Sequence, residues 1–332
     1  MHAAAINLRG GVSPRGIRLR GQSIIEYVLI IAVIGLVIVF AGPGVAGAIR
    51  NQFNLVGNTL NSGTNGGTEG GGASGGGSAG ADSATVQAAI AKDAKDWTLG
   101  EQKAVAEDIA KNGTSSIAYA KAKAAMDAGT KFSMKLTNGQ TLTYRIIGIN
   151  HDDLADGGGK AGLTFLTTST GIKSRMNATG TNAGGWEKSE LRAQMNSGNI
   201  WNLMPSDFQS KVKSVKKLTN NAGGGEENKN AAVTATLDRL FLLSYSEIVE
   251  TPYNDLSSYS WIGKEGTQYE AFKGKVTENY HANSAIANGG GWWERSVSPN
   301  SSKHFSFVTS NGIPSGSYYA PDSYCICPAW CF

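Results

Sequence analysis

The stretch Trp292-Trp-Glu-Arg-Ser296 brings two indole rings and a guanidinium together in one short segment near the end of the chain. Tryptophan is highly buried on average, so the two rings indicate a folded core rather than a contact surface. Arginine carries five N–H donors, and we expect Arg295 to tie the adjacent loop to backbone carbonyl groups. The predicted scaffold consists of Trp292, Trp293, Arg295, Ser296 and Trp330.

The composition of the chain changes directly after this scaffold segment. Residues 297–324 contain only Lys303 from the set Glu, Lys, Gln, Met and Trp, whereas residues 130–296 contain 36 such residues in 167 positions. At that frequency, 28 positions would hold about six of them. No codon that ends in C encodes these five types. Diversification of adenines within AAC codons would therefore produce the alphabet of residues 297–324.

The same region has the composition of an adaptable binding surface. Tyrosine gives a large contact area at low entropic cost, and Ser and Asn adapt their hydrogen bonds to a partner. We predict that the variable region 297–324 contacts a ligand; a Ser/Gly-rich loop without a ligand is the alternative. The predicted contact residues are Ser298, Asn300, Ser302, His304, Ser306, Phe307, Thr309, Ile313, Ser315, Ser317, Tyr318, Tyr319, Asp322, Ser323 and Tyr324.

The N-terminus has the pattern of an export signal. The first 20 residues contain four arginines and no acidic residue, and 23 uncharged residues separate Glu26 from Arg50. A stretch of that length can span a bilayer, with the basic leader in the cytoplasm. A carboxylate at the mouth of an apolar helix needs a partner. Cleavage after Gly21 would place the new amine of Gln22 one helical turn from Glu26.

Two other interpretations of the N-terminus stay open. A conventional secretory signal would be cleaved after the apolar run, for which the small residues at 41–48 could serve. An ordinary signal anchor would keep the apolar stretch in the membrane without cleavage.

Five segments follow from composition and periodicity. The Gly/Ser-rich stretch contains almost no apolar residues, which predicts a flexible tether between an N-terminal helix and a folded domain. The segments are 1–21, a basic leader; 22–57, a transmembrane or assembly helix; 58–83, the linker; 84–129, a helical segment; and 130–332, the ligand-binding domain.

Hydrophobic periodicity predicts a mixed α+β arrangement in the C-terminal part. Asn138-Gly139 predicts a two-residue hairpin turn between two strands. The predicted strands cover 132–136, 141–149, 163–168 and 240–243, and short amphipathic helices are predicted at 186–195 and 207–215.

The string Gly21-Gln-Ser-Ile-Ile-Glu-Tyr27, followed by the apolar stretch, resembles the Flp/Tad class of type IV pilins over residues 15 to about 60. The resemblance implies cleavage by a prepilin peptidase between Gly21 and Gln22. It also implies that Glu26 and Tyr27 belong to a helix that meets the pilus assembly machinery, other pilin subunits and the membrane. Flp pilins are usually much shorter than this chain.

Residues 130–332 resemble the DUF6273 type of domain found in bacterial and phage surface proteins. The end of the chain is similar to variable proteins diversified by retroelements, which implies a C-type lectin-like fold. The family usually has Gly-Val before its last strand, where this chain has Cys325-Ile326. The resemblance rests on Tyr144–Asp153, Arg175–Asn177, Gly184–Trp186, Leu240–Ser244 and, most specifically, Trp292–Ser296.

Three polar patterns have simple structural interpretations. The cysteines Cys325, Cys327 and Cys331 are odd in number, and Cys327 with Cys331 is the better pair if any disulfide forms. The lysines between 211 and 217 predict the solvated face of a short helix. Residues 151–156 predict a solvated hairpin loop, with a calcium loop as the alternative.

These patterns together predict an α+β chain: a long N-terminal apolar pilin-type helix, a flexible Gly-rich linker and a C-terminal C-type-lectin-like mixed α/β domain. The predicted function is a surface-displayed, pilin-like adhesin that binds an extracellular protein or glycan. A structural minor pilin is the first alternative, and an enzyme on a lectin-like fold is a less favoured one.

The predicted location is the cytoplasmic membrane for the precursor and the cell surface, within a pilus, after processing. The net charge of +4 is too small to indicate nucleic acid. We predict no catalytic residue, metal or cofactor, because no histidine is flanked by a nucleophile motif.

Overall fold

The computed structural model describes residues 83–168, 171–250 and 258–332. Contacts between residues divide the chain into units 1–75 and 76–332, and every described residue belongs to the second unit. The predicted leader and N-terminal helix, with Gly21, Gln22, Glu26 and Tyr27, lie outside the described residues, as does nearly all of the predicted linker.

Three helices open the described part of the chain: α1 (Ser83–Ile90), α2 (Leu99–Asn112) and α3 (Tyr119–Asp127). A capping box fixes the start of α2. The Thr98 hydroxyl accepts a hydrogen bond from the Glu101 backbone N–H, and the Glu101 carboxylate accepts one from the Thr98 N–H. The inner side of α2 buries apolar side chains such as Val105 and Ile109.

The first sheet is antiparallel and pairs the last strand of the chain with a strand from the middle of the chain. Its strand order is β1-β2-β3-β11. The C-terminal strand β11 pairs with β3, so that Trp330 lies opposite Phe165. The strands are β1 (Phe132–Lys135), β2 (Thr141–Ile149), β3 (Leu163–Thr167) and β11 (Ala329–Cys331).

The hairpin between β1 and β2 has a three-residue loop. The Leu136 N–H donates to the Gln140 carbonyl at 2.8 Å, which leaves residues 137–139 in the loop. Gly139 has φ 84°, in the left-handed region that glycine adopts without strain. The predicted two-residue turn is therefore wrong by one residue, because this loop ends on a left-handed glycine.

The second sheet is built around the Trp292–Val297 segment. Its order is β4-β10-β7-β8-β9, and β10 with β7 is parallel while its other pairs are antiparallel. The strand β7 is therefore central and β9 lies at an edge. The strands are β4 (Lys173–Ser174), β7 (Trp292–Val297), β8 (His304–Val308), β9 (Gly316–Tyr319) and β10 (Tyr324–Cys325).

Among the described residues, a separate hairpin and four short α-helices follow in the middle of the chain. The hairpin consists of β5 (Val215–Asn220) and β6 (Val233–Asp238). The helices are α4 (Glu190–Asn196), α5 (Asn199–Leu203), α6 (Ser206–Gln209) and α7 (Tyr245–Ile248).

Three sequence-based predictions of secondary structure in this middle part need correction. The Ser189 hydroxyl accepts from the Arg192 N–H, so α4 begins after this cap rather than at residue 186. Helix α6 ends at Gln209 instead of reaching 215, where β5 begins. Residues 240–243 make no strand; Phe241 only forms an isolated bridge with Ala329.

The predicted fold class is wrong for the part of the chain that the structure describes. These residues form a mixed α/β fold, and none of their helices is long and apolar enough to cross a membrane. The longest, α2, has 14 residues, which span about 21 Å against a hydrocarbon core of about 30 Å. The predicted helix at 22–57 lies outside these residues.

Candidate functional site

The two tryptophans of β7 anchor the second sheet on both of its faces. Successive side chains of a strand point to opposite faces, so Trp292 and Trp293 enter different layers. The Trp292 indole N–H donates to the Ile286 carbonyl, and that of Trp293 to the Ser174 carbonyl, both at 3.0 Å. Both rings are fully buried with their polar group satisfied, which fixes the position of β7.

The Arg295 guanidinium is completely buried behind β7. It pairs with the Glu247 carboxylate through two nitrogens, at 2.5 and 3.0 Å, a bidentate arrangement. It also donates to three backbone carbonyls, those of Leu218 at 3.1 Å, Leu242 at 2.8 Å and Glu265 at 2.6 Å. Arg295 thus links β7 to β5, to α7 and to the loop that contains Glu265.

An ion-paired cluster continues from Glu247 to Lys217. The Lys217 Nζ lies 2.5 Å from Glu247 Oε1 and 2.6 Å from Asp152 Oδ1. Burial alone would raise the pKa of Asp152, but nearby positive charge, chiefly that of Lys217, together with hydrogen bonds from Lys217 and Thr164, outweighs burial and holds that pKa well below its usual range. With Arg295, two cations and two anions balance in the core.

Two interpretations of polar patterns are wrong at this cluster. Lys217 is 3% exposed on an inward position of β5, not on a solvated helix face. Asp152 is 4% exposed and paired, so it departs from the predicted solvated hairpin loop, in which Asp153 and Asp156 are exposed. Each charge is kept in the core by a partner that is 65 residues away along the chain, and a local pattern does not reveal such a partner.

Two more carboxyl groups lie beside Arg295 without an ion pair of their own. Burial raises the pKa of Glu265 to about 7 and raises that of Glu294 well above its ordinary value. The Glu294 oxygens have no hydrogen-bond partner within the described residues. Because the cluster is sealed from solvent, we assign it a structural role: it holds β7 in place.

Four aromatic rings meet on the face of the second sheet to which Trp293 points; we call Trp293, Phe307, Tyr318 and Tyr324 the aromatic patch. The Phe307 ring centroid lies 4.5 Å from that of Tyr318 and 4.8 Å from that of Tyr324. The two tyrosine rings are 4.5 Å apart. Trp293 and Phe307 are buried and the tyrosines half-buried, so the tyrosines form the outer layer of the patch.

Strand alternation separates two neighbouring tyrosines of β9. Tyr318 lies opposite Phe305 and Tyr319 opposite His304 in the β8–β9 register. Tyr318 therefore joins the aromatic patch, whereas the Tyr319 ring lies 5.8 Å from the His304 ring on the other face. The Tyr319 hydroxyl reaches Gly180, where a Cβ would come within 1.9 Å of it.

The structure distributes the predicted contact residues over three levels of burial. The buried ones are Ser298, Ser306 and Phe307. The half-buried ones are His304, Thr309, Ile313, Ser315, Tyr318 and Tyr324. The exposed ones are Asn300, Ser302, Ser317, Tyr319, Asp322 and Ser323.

Some predicted contact residues are held by the scaffold. The Asn300 Oδ1 accepts a hydrogen bond from the buried Tyr259 hydroxyl at 2.7 Å. The His304 ring contacts the Ser301 hydroxyl at 2.5 Å. Asp322 and Ser323, by contrast, lie exposed in the turn that leads into Tyr324. The rim next to the aromatic patch therefore consists of Asp322 and Ser323.

Sequence reasoning placed Trp293 in the scaffold and missed its second role as the floor of the aromatic patch. It also missed Gly180, against which Tyr319 packs. The alternation of the aromatic residues Phe305 and Phe307 in β8 was a usable signal for the role of Trp293 in the aromatic patch. No local signal points to Gly180, because the contact joins segments far apart in the chain.

The described residues contain no group of three or more His, Cys, Asp or Glu side chains that could hold a metal ion. The three cysteines are buried, and none forms a disulfide within the described residues. Burial raises the pKa of Cys327 to about 12, which keeps its thiol protonated and unreactive at neutral pH.

The comparisons with known proteins support the resemblance of the C-terminal region to DUF6273. No curated protein and no solved structure matches the chain. Residues 161–332, which include the whole second sheet and the aromatic patch, match a domain of unknown function, DUF6273. Since this match covers more than half of the 332 residues, the chain belongs to the DUF6273 family.

Proposed function

We propose that this DUF6273 domain is a ligand-binding module and that the aromatic patch, with the Asp322–Ser323 rim, is its contact surface. The observation that carries the proposal is the layering of the rings. Two half-buried tyrosines, Tyr318 and Tyr324, rest on two buried rings, Trp293 and Phe307. Tyrosines held in this way lose little conformational entropy when a partner binds.

The chemistry of the surface favours a protein or glycan ligand. The tyrosine faces offer apolar area, and their hydroxyls offer one donor each and an acceptor. Asp322 and Ser323 add a carboxylate and a hydroxyl next to Tyr324. A surface of this kind packs on the apolar face of a sugar ring or a peptide while its rim forms hydrogen bonds.

The proposal includes display of this domain outside the cell. It rests on the motif around Gly21–Gln22. This motif predicts cleavage by a prepilin peptidase, followed by interaction with the pilus assembly machinery and with other pilin subunits. Mass spectrometry of the mature protein tests this step: an N-terminus at Gln22 supports it, and any other start contradicts it.

Diversification by a retroelement belongs to the same proposal and is tested in the genome. We expect a near-copy of the segment that encodes residues 292–331 beside a reverse transcriptase gene. The copy should differ from the gene only at adenines of the copy. Differences at other bases would exclude adenine-directed diversification.

The binding test uses the double variant Tyr318→Ser/Tyr324→Ser of the full chain on glycan and protein arrays. Each tyrosine in a binding hot spot contributes about 2 kcal/mol, so the double variant should bind a ligand found with the wild type at least about tenfold more weakly. Unchanged binding would remove the aromatic patch from the contact surface.

The matched control is Tyr319→Ser, which changes the neighbouring residue on the opposite face of the same strand. It should keep the affinity within about threefold, because its ring does not join the aromatic patch. A thermal melt of each variant separates loss of binding from loss of folding. Unfolding of the double variant at ambient temperature would indicate that the two tyrosines belong to the hydrophobic core rather than to a contact surface.

A further inference from the structure

A cavity of about 310 Å³ lies between the first sheet and the loop that precedes β7. The volume is at the lower end of the range for pockets that bind small molecules. Its walls come from the end of α3, from β2 and β3, and from the loop at 284–288. The charged side chains at the wall are Arg145 and Lys131.

Arg145 is a positively charged residue in strand β2, which otherwise consists of uncharged and mostly apolar residues. Its guanidinium lies 5.6 Å from the centre of the Phe272 ring, which supports one face of it. Its Nη2 donates to the Ala285 carbonyl in the cavity wall. Its Nε is buried and has no hydrogen-bond partner within the described residues.

No acidic residue balances this charge in the part of the chain that the structure describes. Aspartate and glutamate are missing from the described lining of the cavity. The one thiol there, Cys327, adds no negative charge at neutral pH, since burial raises its pKa to about 12. Two other arginines differ, because the buried Arg295 pairs with Glu247 and the half-buried Arg192 pairs with Asp238.

The remaining lining suits a small polar molecule. It combines the polar residues Thr168, Ser284 and Asn288 with Trp292. The Asn288 amide is oriented by its contact with the Cys327 sulfur at 3.2 Å. A half-buried cation such as Arg145 is stabilised by a counter-charge within hydrogen-bond reach, and Arg favours the oxygens of carboxylate and phosphate.

We propose that this cavity binds the oxyanion of a compact organic acid, a carboxylate or a phosphate, with Arg145 as its anchor and Lys131 at its mouth. The site is independent of the proposed ligand surface. Trp292 lines the cavity while Trp293 belongs to the aromatic patch, and the two residues face opposite sides of β7. Either proposal can fail without the other.

The test is isothermal titration of the full-length protein with three sugars of similar size: glucuronate, glucose 6-phosphate and glucose. We expect heat of binding from at least one acid and none from glucose. The acid that binds tells a carboxylate site from a phosphate site. Equal binding of all three, or of none at millimolar concentrations, would overturn the proposal.

Variants assign the binding to this cavity. Arg145→Gln should weaken the affinity for the acid at least tenfold, whereas Arg175→Gln, which changes an exposed arginine, should leave it within twofold. Lys131→Gln changes an exposed side chain and should weaken binding two- to fivefold even if Arg145→Gln does not fold. Binding that neither Arg145→Gln nor Lys131→Gln weakens would contradict the assignment.

Discussion

Arg295 keeps its charge in the interior because each of its nitrogens has an acceptor. The Nε donates to the Thr219 hydroxyl at 3.0 Å, and the other two nitrogens reach Glu247 and backbone carbonyls. Removing one partner of such a pair costs about 3–5 kcal/mol, since the other charge stays buried. The Trp292–Ser296 segment is therefore specific in sequence because its arginine must fit a complete set of acceptors.

Glu265 gives a prediction at the scale of one residue. Its folded pKa is about 7, raised by burial against hydrogen bonds that lower it, while an unfolded glutamate titrates near pH 4.3. The folded state therefore holds the extra proton, and its stability falls as pH rises from about 4.3 to 7, by roughly 4 kcal/mol at most. Glu265→Gln removes this titration, so its stability relative to the wild type should rise over the same interval.

Urea unfolding of Glu265→Gln and wild type at about pH 5 and pH 8 measures this difference. The matched control is Glu227→Gln, which changes an exposed glutamate of the same domain. A pH response of the control equal to that of Glu265→Gln would contradict the burial argument.

At the scale of elements, the sequence predicted the strands whose formation depends on the pattern of neighbouring residues in the chain. Strand β2 followed from its alternation and its preceding glycine turn, and its bounds 141–149 are those of the structure. Strand β5 did not follow, because Lys217 occupies an inward position that only Asp152 and Glu247 make tolerable. Phe307, Tyr318 and Tyr324 of the aromatic patch were among the predicted contact residues, but the geometry of the patch was not predicted, since the β8–β9 register decides that Tyr318 and Tyr319 separate.

Gly162 tests the contact between two elements, helix α2 and strand β3. A Cβ at this position would lie 1.8 Å from the Ala106 carbonyl oxygen of α2, a backbone atom that cannot rotate away. Gly162→Ala should therefore push α2 from the sheet and cost about 1–3 kcal/mol or more in the free energy of unfolding. Gly171→Ala is the control, because no atom of the described residues other than its chain neighbours lies within 4 Å of a Cβ at this position. Equal stability of the two variants would disprove the close approach.

At the scale of the molecule, the last nine residues join the two larger sheets. Strand β10 belongs to the second sheet and β11 to the first, so the chain crosses between them after Cys325. The crossing segment is buried from Cys325 to Phe332. This is why the end of the chain has core composition although it follows the predicted contact region directly.

The crossing segment makes the three cysteines a probe of the whole core. All three are at most 2% exposed, and burial raises the pKa of each, so few thiolates form at neutral pH. We expect the native protein to react with a maleimide only as fast as the core opens. Three thiols should react at once in urea without reductant, because none of the three forms a disulfide in the part of the chain that the structure describes. One reactive thiol in urea would instead indicate a disulfide, for which Cys327 with Cys331 is the sequence-based candidate. Adding reductant would then restore the other two thiols.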